Sequence, residues 1–328
     1  MNTKATSVVA VCVLVCAAAF VQARAQTPQA PLTDTIAPDI PGVVAGGTKV
    51  EVIKEFEGAD GPIAHPDGSV IFAEPQPSRI IKIDKDNVVS TFLEHTNRSH
   101  ALAFDAKGRL ISLQETPDPD TIAVLYPKGS ETVLADNFDG KPFGRPNDLV
   151  VNKAGGLYFT DPGPNAQPGS PPPPLPPAVY YLPPGGKPIK VADVQGRPNG
   201  ITLSIDETIL YVSNTYGEYM LAFDVQGDGT LQNRRQFAKY EGITMTANGL
   251  AAGADGLTID AAGRLYAATP LGVQVFSPAG KHLGTIALSR APQNMAFAGP
   301  EKKTLYVVGR GTVFKVQMLA QGPAGRVK

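Results

Sequence analysis

Short apolar segments recur along this chain, and each begins at a polar residue and runs through a turn into a second apolar segment. Six such starts are present: Asp60, His100, Asn147, Asn199, Asp255 and Gln293/Asn294. In four of them a turn glycine follows the polar residue by eight positions: Gly68, Gly108, Gly155 and Gly263. The starts lie 39 to 56 residues apart, and the segments between them are patterned like strands. This period predicts a β-propeller or another repeat array.

The strand pattern also predicts how the array closes. Each of the first five repeats has four candidate strands, whereas the sixth has three and then ends in QMLAQGPAGRVK, a poor strand sequence. A spare alternating segment, KVEVIKEF, lies at residues 49–56. We therefore predict an all-β, six-bladed β-propeller over residues 46–328, in which the N-terminal strand completes the last blade. Such closure covers strand edges that would otherwise pair with other chains.

The first 45 residues are patterned differently. Lys4, an apolar run over residues 7–21 and the small residues around position 24 predict a signal peptide at residues 1–25, and hence a secreted or periplasmic protein. Both cysteines, Cys12 and Cys16, lie in this segment, so no disulfide is expected in the mature chain. Residues 26–45 are rich in proline and alanine without periodicity, and we interpret them as a flexible lead-in.

The net charge and the loop composition limit the binding partners that we expect. The formal net charge is −1, and no basic stripe is present, so nucleic acid is not an expected partner. No membrane association is expected after signal cleavage. The expected partner is a small-molecule substrate, and the oligomeric state is left open. A proline-rich insert at residues 161–177 is either a solvated loop or a wall or lid at the rim of the array.

Radial repetition places one position of every repeat around a common axis. Asp60, Asn147, Asn199 and Asp255 each open an innermost strand, so we expect their side chains to meet at one end of the central channel. Two carboxylates and two amide oxygens suit Ca²⁺, and would also accept Mg²⁺, Mn²⁺ or Zn²⁺. The alternative is that Asn-Gly and Asp-Gly are ordinary turn dipeptides. Four such residues in register favour the metal site.

Four motifs together resemble a known family. They are DGP at residues 60–62, RPND at 145–148 followed by GGLYFTDP, RPNG at 197–200 followed by LYVSNT, and DGL at 255–257 followed by DAAGRLY. In combination they resemble the senescence marker protein 30/gluconolactonase/regucalcin-like family of six-bladed propeller lactonases. The resemblance extends over residues 60–316.

The resemblance implies one divalent cation held by Asp60, Asn199 and Asp255. It further implies that Arg145 and Asn147 contact the metal or the substrate, and that Asp255 is the general base.

Two positions depart from the family pattern. The first-blade ligand is usually Glu, whereas this chain has Asp60, with Glu57 nearby as an alternative. The second blade often carries Asn-Gly, where this chain has His100-Ala101. The imidazole is expected to face the channel and either joins the substrate or metal shell or makes a structural hydrogen bond.

These features predict a secreted, metal-dependent lactonase that hydrolyses a sugar-type (aldono-) lactone with metal-activated water. Asp255 is expected to accept the water proton, while Arg145, Asn147 and His100 orient the substrate. The chain has no G-x-S-x-G motif, so no serine nucleophile of that type is expected. Two alternatives stay open, because the fold serves many uses: a non-enzymatic propeller that binds a partner, and a metal-dependent aryl ester or organophosphate hydrolase.

Overall fold

A computed structural model describes residues 31–116, 119–164 and 173–325. Within these ranges the regular structure consists of β-strands and a single 3₁₀ turn at Pro300–Lys302. None of the described segments forms a helix with the length and hydrophobicity needed to cross a membrane. The predicted signal peptide and the centre of the proline-rich insert, residues 165–172, lie outside the described residues.

The described chain forms a six-bladed propeller. Two strands precede the first blade: β1 (Thr35–Ile36) and β2 (Lys49–Glu55). Blade 1 contains β3 (Asp60–Ala64), β4 (Val70–Glu74), β5 (Arg79–Ile83) and β6 (Val89–Glu94). Blade 2 contains β7 (Ser99–Phe104), β8 (Leu110–Gln114), β9 (Thr121–Tyr126) and β10 (Thr132–Ala135). A small hairpin, β11 (Asn137–Phe138) and β12 (Lys141–Pro142), leads to the next blade.

The remaining blades repeat this plan. Blade 3 contains β13 (Leu149–Val151), β14 (Leu157–Asp161), β15 (Ala178–Leu182) and β16 (Ile189–Asp193). Blade 4 contains β17 (Pro198–Leu203), β18 (Ile209–Asn214), β19 (Tyr219–Val225) and β20 (Leu231–Lys239), followed by a hairpin of β21 (Thr244–Thr246) and β22 (Gly249–Ala251). Blade 5 contains β23 (Leu257–Ile259), β24 (Leu265–Thr269), β25 (Gly272–Phe276) and β26 (His282–Ile286). The chain then forms β27 (Asn294–Ala298), β28 (Thr304–Gly309) and β29 (Thr312–Gln317).

The N-terminal strand closes the ring, as predicted. The sixth sheet has the order β1-β2-β29-β28-β27, so the first two strands of the chain complete the last blade. In β2, Val50 pairs with Val316 and Val52 pairs with Phe314. The core consists of six apolar clusters, and each lies between two consecutive blades, including one between blades 6 and 1. Burial is therefore continuous around the ring.

The flexible lead-in predicted at residues 26–45 is wrong for its described part. β1 pairs with β2, and Ala37, Ile40, Val43 and Val44 are buried in the apolar cluster between blades 5 and 6. The Val43 carbonyl oxygen accepts the backbone N–H groups of the C-terminal segment at residues 319 and 320. These apolar residues are separated by prolines and glycines and so show no strand period, which is why the pattern did not reveal them.

Glycines bring the innermost strands close together. Gly61, Gly200 and Gly256 each follow one of the ring residues named above. A Cβ on Gly61 would lie 2.6 Å from the His100 carbonyl oxygen, and one on Gly200 would lie 2.5 Å from the Asp255 carbonyl oxygen. Only glycine permits such an approach, and Gly61 also has a positive φ of 52°. The polar residue before each glycine is consequently held at the same end of the channel.

Candidate functional site

Asp60 and Asp255 face the channel from blades 1 and 5, and both are partly exposed. Asp255 opens the turn into β23, where its backbone N–H donates to the Ala268 carbonyl oxygen (2.9 Å). Burial, and then the negative charge of Asp60, raise the pKa of the Asp255 carboxyl to about 8. The two carboxylates therefore repel each other across the channel mouth, which a bound cation would relieve.

Asn199 supplies an oriented amide oxygen. Its Nδ2 donates to the Thr215 hydroxyl (3.1 Å), which in turn donates to the Ala254 carbonyl oxygen (2.8 Å). This arrangement distinguishes the nitrogen of the Asn199 amide from its oxygen, because the Thr215 oxygen accepts a hydrogen bond from the nitrogen. The Asn199 Oδ1 is buried and finds no hydrogen-bond partner among the described residues. An acceptor left in this state is costly unless something else occupies it.

Asn147 lies at the start of blade 3 and is partly buried. Its backbone N–H donates to the Thr160 carbonyl oxygen (2.8 Å). The next residue, Asp148, is buried and accepts the backbone N–H groups of Leu149 (2.9 Å) and Ile201 (3.2 Å). Asp148 thus fastens blade 3 to blade 4 behind Asn147. Its place in the RPND motif was the only sequence signal for this role.

His100 holds the Arg145–Asn147 segment in place. Its Nε2 lies 2.7 Å from the Pro146 carbonyl oxygen, which can only accept, so Nε2 carries the proton. The Nδ1 atom is buried and has no hydrogen-bond partner among the described residues. The structural hydrogen bond is therefore present, and Nδ1 is left to form a hydrogen bond with a substrate hydroxyl or a water.

Arg145 is anchored by the carboxylate of Glu115, which no sequence motif indicated. One carboxylate oxygen of Glu115 forms an ion pair with Arg145 (3.3 Å), and the other forms an ion pair with Arg98 (3.1 Å). Burial opposes ionisation of Glu115, but the positive charges of His100, Arg145 and Arg98 hold its pKa below the ordinary value. The neighbouring Asp120 is more strongly affected by burial, which raises its pKa to about 6. Arg98, Glu115, Asp120 and Arg145 line a cavity of about 470 Å³.

Glu57, the alternative first-blade ligand, is exposed and precedes the ring position. Its backbone N–H donates to the Glu74 carboxylate (2.7 Å). Asp60 opens β3 at the position equivalent to Asn199 and Asp255, and one of its oxygens accepts the Gly61 N–H (2.8 Å). The geometry favours Asp60 over Glu57.

The residues present fit a hard divalent cation. In the described ranges, no three or more His, Cys, Asp or Glu side chains are grouped so that they could hold a metal ion, so the donor set is not that of a multi-carboxylate or histidine site. It combines the carboxylates of Asp60 and Asp255 with the unpartnered Oδ1 of Asn199. Such an all-oxygen set of mixed charge is typical of Ca²⁺ and related ions.

Comparison with known proteins assigns the family. The sequence profile of the SMP-30/Gluconolactonase/LRE-like region matches residues 58–310. The chain belongs to this family. It is 28% identical over 300 residues to a gluconolactonase of Zymomonas mobilis, in an alignment that covers 85% of this chain and 84% of the relative. Family membership supports a lactonase function.

Solved structures agree with the fold. A gluconolactonase from Xanthomonas campestris superposes with a TM-score of 0.74 at 26% identity, covering 90% of this chain and 99% of that one. A regucalcin from Agrobacterium tumefaciens, described as a calcium-binding protein, gives a TM-score of 0.67 at 19% identity over 83% of this chain and 93% of that one. The second likeness shows the fold alone.

Proposed function

We propose that this protein is a divalent-cation-dependent lactonase that hydrolyses a sugar-type (aldono-) lactone. The observation that carries the proposal is the channel mouth, where Asp60 and Asp255 repel each other beside the unpartnered Oδ1 of Asn199. Asp60, Asn199 and Asp255 would hold the cation, with Asn147 beside them. Ca²⁺ is the preferred candidate, because every donor is an oxygen. When bound, the cation supplies Lewis acidity to the lactone carbonyl and to a water.

The chain's own residues account for the proton movements. Asp255 is the general base: it takes a proton from the attacking water as the new C–O bond forms. The ring C–O bond then breaks, and the proton is returned to the departing ring oxygen, so that lactone and water give one hydroxy acid. Arg145, fixed by Glu115, and Asn147, backed by Asp148, orient the substrate. His100 Nδ1 is placed to form a hydrogen bond with a substrate hydroxyl.

The compartment is part of the proposal. Residues 1–25 carry the features of a secretory signal, which would deliver the protein to the periplasm or the exterior.

A panel of substrates and ions tests the function. Protein stripped with a chelator should not open glucono-1,5-lactone, and added Ca²⁺, Zn²⁺, Mg²⁺ or Mn²⁺ should restore turnover. Asp255→Asn should keep the fold and lose turnover, because an amide cannot take the water proton. Hydrolysis of aryl esters or organophosphates without lactone opening, or the absence of any turnover in the metal-loaded protein, would contradict the proposal.

A further inference from the structure

Two neighbouring blades carry the same four-residue segment at the channel mouth. The sequence Gly-Arg-Pro-Asn occurs at residues 144–147 in blade 3 and again at residues 196–199 in blade 4. The asparagines are the ring residues already described, so Arg145 and Arg197 each stand two residues before a ring position. The family resemblance assigns a role to Arg145 but none to Arg197.

The structure holds both arginines in the same way. The backbone N–H of Arg145 donates to the Asp161 carboxylate (2.9 Å), and that of Arg197 donates to the Asn214 side-chain oxygen (2.8 Å). Asp161 and Asn214 are themselves equivalent, since each ends the second strand of its blade. Arg145 and Arg197 therefore leave the backbone at equivalent positions of adjacent blades, on the face that carries Asp255.

Their side chains have different partners. Arg145 is paired with Glu115, which also binds Arg98. The guanidinium of Arg197 makes no ion pair or hydrogen bond within the described residues and is only partly exposed. Adjacent blades thus place two positive side chains at equivalent positions, and Arg197 lacks the carboxylate partner that Glu115 provides for Arg145.

Within the described residues, the neighbouring carboxylates make no ion pair with the Arg197 guanidinium. Asp161 is buried, and its oxygens accept the backbone N–H groups of Gly144, Arg145 and Gly163. The negative charges of Asp60 and Asp255 would be balanced by a divalent cation. Arg310 is exposed, and its backbone N–H donates to the Gln293 side-chain oxygen (2.7 Å) at the ring position of blade 6, which places another positive residue near the mouth.

We propose that the space between Arg145 and Arg197 binds an anionic group of the substrate, so that the preferred substrate is a lactone bearing a carboxylate or a phosphate. Guanidinium groups bind both anions through paired hydrogen bonds. This inference rests on the proposed lactonase function and specifies its substrate class. The lactone ring would lie toward Asp255 and the anionic group toward Arg197.

Kinetics on three lactones test the inference. Glucono-1,5-lactone is neutral, a glucarolactone carries a carboxylate, and 6-phosphogluconolactone carries a phosphate. The measured quantity is the ratio of kcat/KM for each anionic lactone to kcat/KM for the neutral one. In Arg197→Gln this ratio should fall about tenfold or more, mainly through KM, and Arg197→Lys should recover part of it. The anionic lactone with the higher ratio in the parent protein identifies which anion the site takes.

The control is Arg234→Gln, which removes the same charge from an exposed position on the outer strand of blade 4. Its ratio should match that of the parent protein. A ratio that is the same in Arg197→Gln and in the parent, or one that falls equally in the Arg234 control, would overturn the inference.

Binding without turnover separates the two proposals. Calorimetric titration with glucarate and gluconate at a fixed free Ca²⁺ concentration should show tighter binding of glucarate, or of 6-phosphogluconate, and this preference should be lost in Arg197→Gln. If the preference is present but no lactone is opened, the lactonase proposal fails and the anion site stands. If lactones are opened but no preference depends on Arg197, the anion site fails alone.

Discussion

The paired carboxylates at the channel mouth should make the metal-free protein less stable as the pH rises. A carboxyl whose pKa is raised by folding binds more protons in the folded state, so its contribution to stability is present at low pH and is lost through the folded pKa. For Asp255 the window runs from an unfolded value of 3.8 to about 8. Each pH unit inside it lowers the free energy of unfolding by about 1.4 kcal/mol at most.

Between pH 5 and pH 7 this slope amounts to a loss of about 3 kcal/mol as an upper value. Asp255 is partly open to the channel, so we expect about 1 to 2 kcal/mol, which is still a large share of a typical domain's stability. Asp255→Asn removes the titrating group and the repulsion on Asp60. In chelator, the variant should therefore be no less stable than the parent protein at pH 7, and its stability should vary less with pH.

Urea unfolding at pH 5, 6, 7 and 8, with chelator and with saturating Ca²⁺, measures both effects. Calcium should stabilise the parent protein at pH 7 and abolish most of its pH slope, because binding to the folded state adds to stability. The matched control is Asp86→Asn, an exposed aspartate paired with Lys85 away from the channel. Parallel pH profiles for the parent protein and Asp255→Asn in chelator would refute the assignment of a shared, repulsive carboxylate pair.

Three further changes follow from the geometry. Thr215→Val should weaken Ca²⁺ binding about tenfold in calorimetry, because it releases the Asn199 amide, whereas Thr215→Ser should retain affinity. Equal losses in the two variants would show that the hydroxyl does not orient the ligand. Gly256→Ala should destabilise the fold strongly in thermal melts, because a Cβ there would lie 2.3 Å from a side chain of the next blade; an unchanged Tm would mean that the strands can separate. A chain that starts at Gly46 should melt well below one that starts at residue 32, because it loses four buried apolar residues from the core, and equal melting temperatures would contradict their packing.

The repeat pattern predicted the fold because it occurs in every blade. The starts at Asp60, His100, Asn147, Asn199 and Asp255 all open, or immediately precede, an innermost strand, and the missing strand of blade 6 pointed to β2. When the last blade lacks a strand, the spare N-terminal strand completes it, since an unpaired sheet edge is unfavourable.

What the pattern did not reveal depends on contacts between distant residues. Glu115 binds Arg145 across 30 positions, and Thr215 orients Asn199 from the next strand of the same blade. Glu115 carries no periodic or motif signal, and Thr215 lies in the LYVSNT motif without a role that the motif reveals, because the role of each follows from where its backbone lies. Residues 31–45 were misread for a related reason: their burial comes from blades 5 and 6, not from local alternation.

The decisive experiment is lactone opening by the purified protein, titrated with Ca²⁺ from a chelated start, beside a calorimetric binding curve for the same ion. We expect no turnover without the ion, and turnover that rises in step with occupancy of one site in the parent protein. Asp255→Asn should bind the ion without hydrolysing the lactone. Undiminished lactone opening in chelator, or one saturated site with no turnover on any lactone, would contradict this expectation.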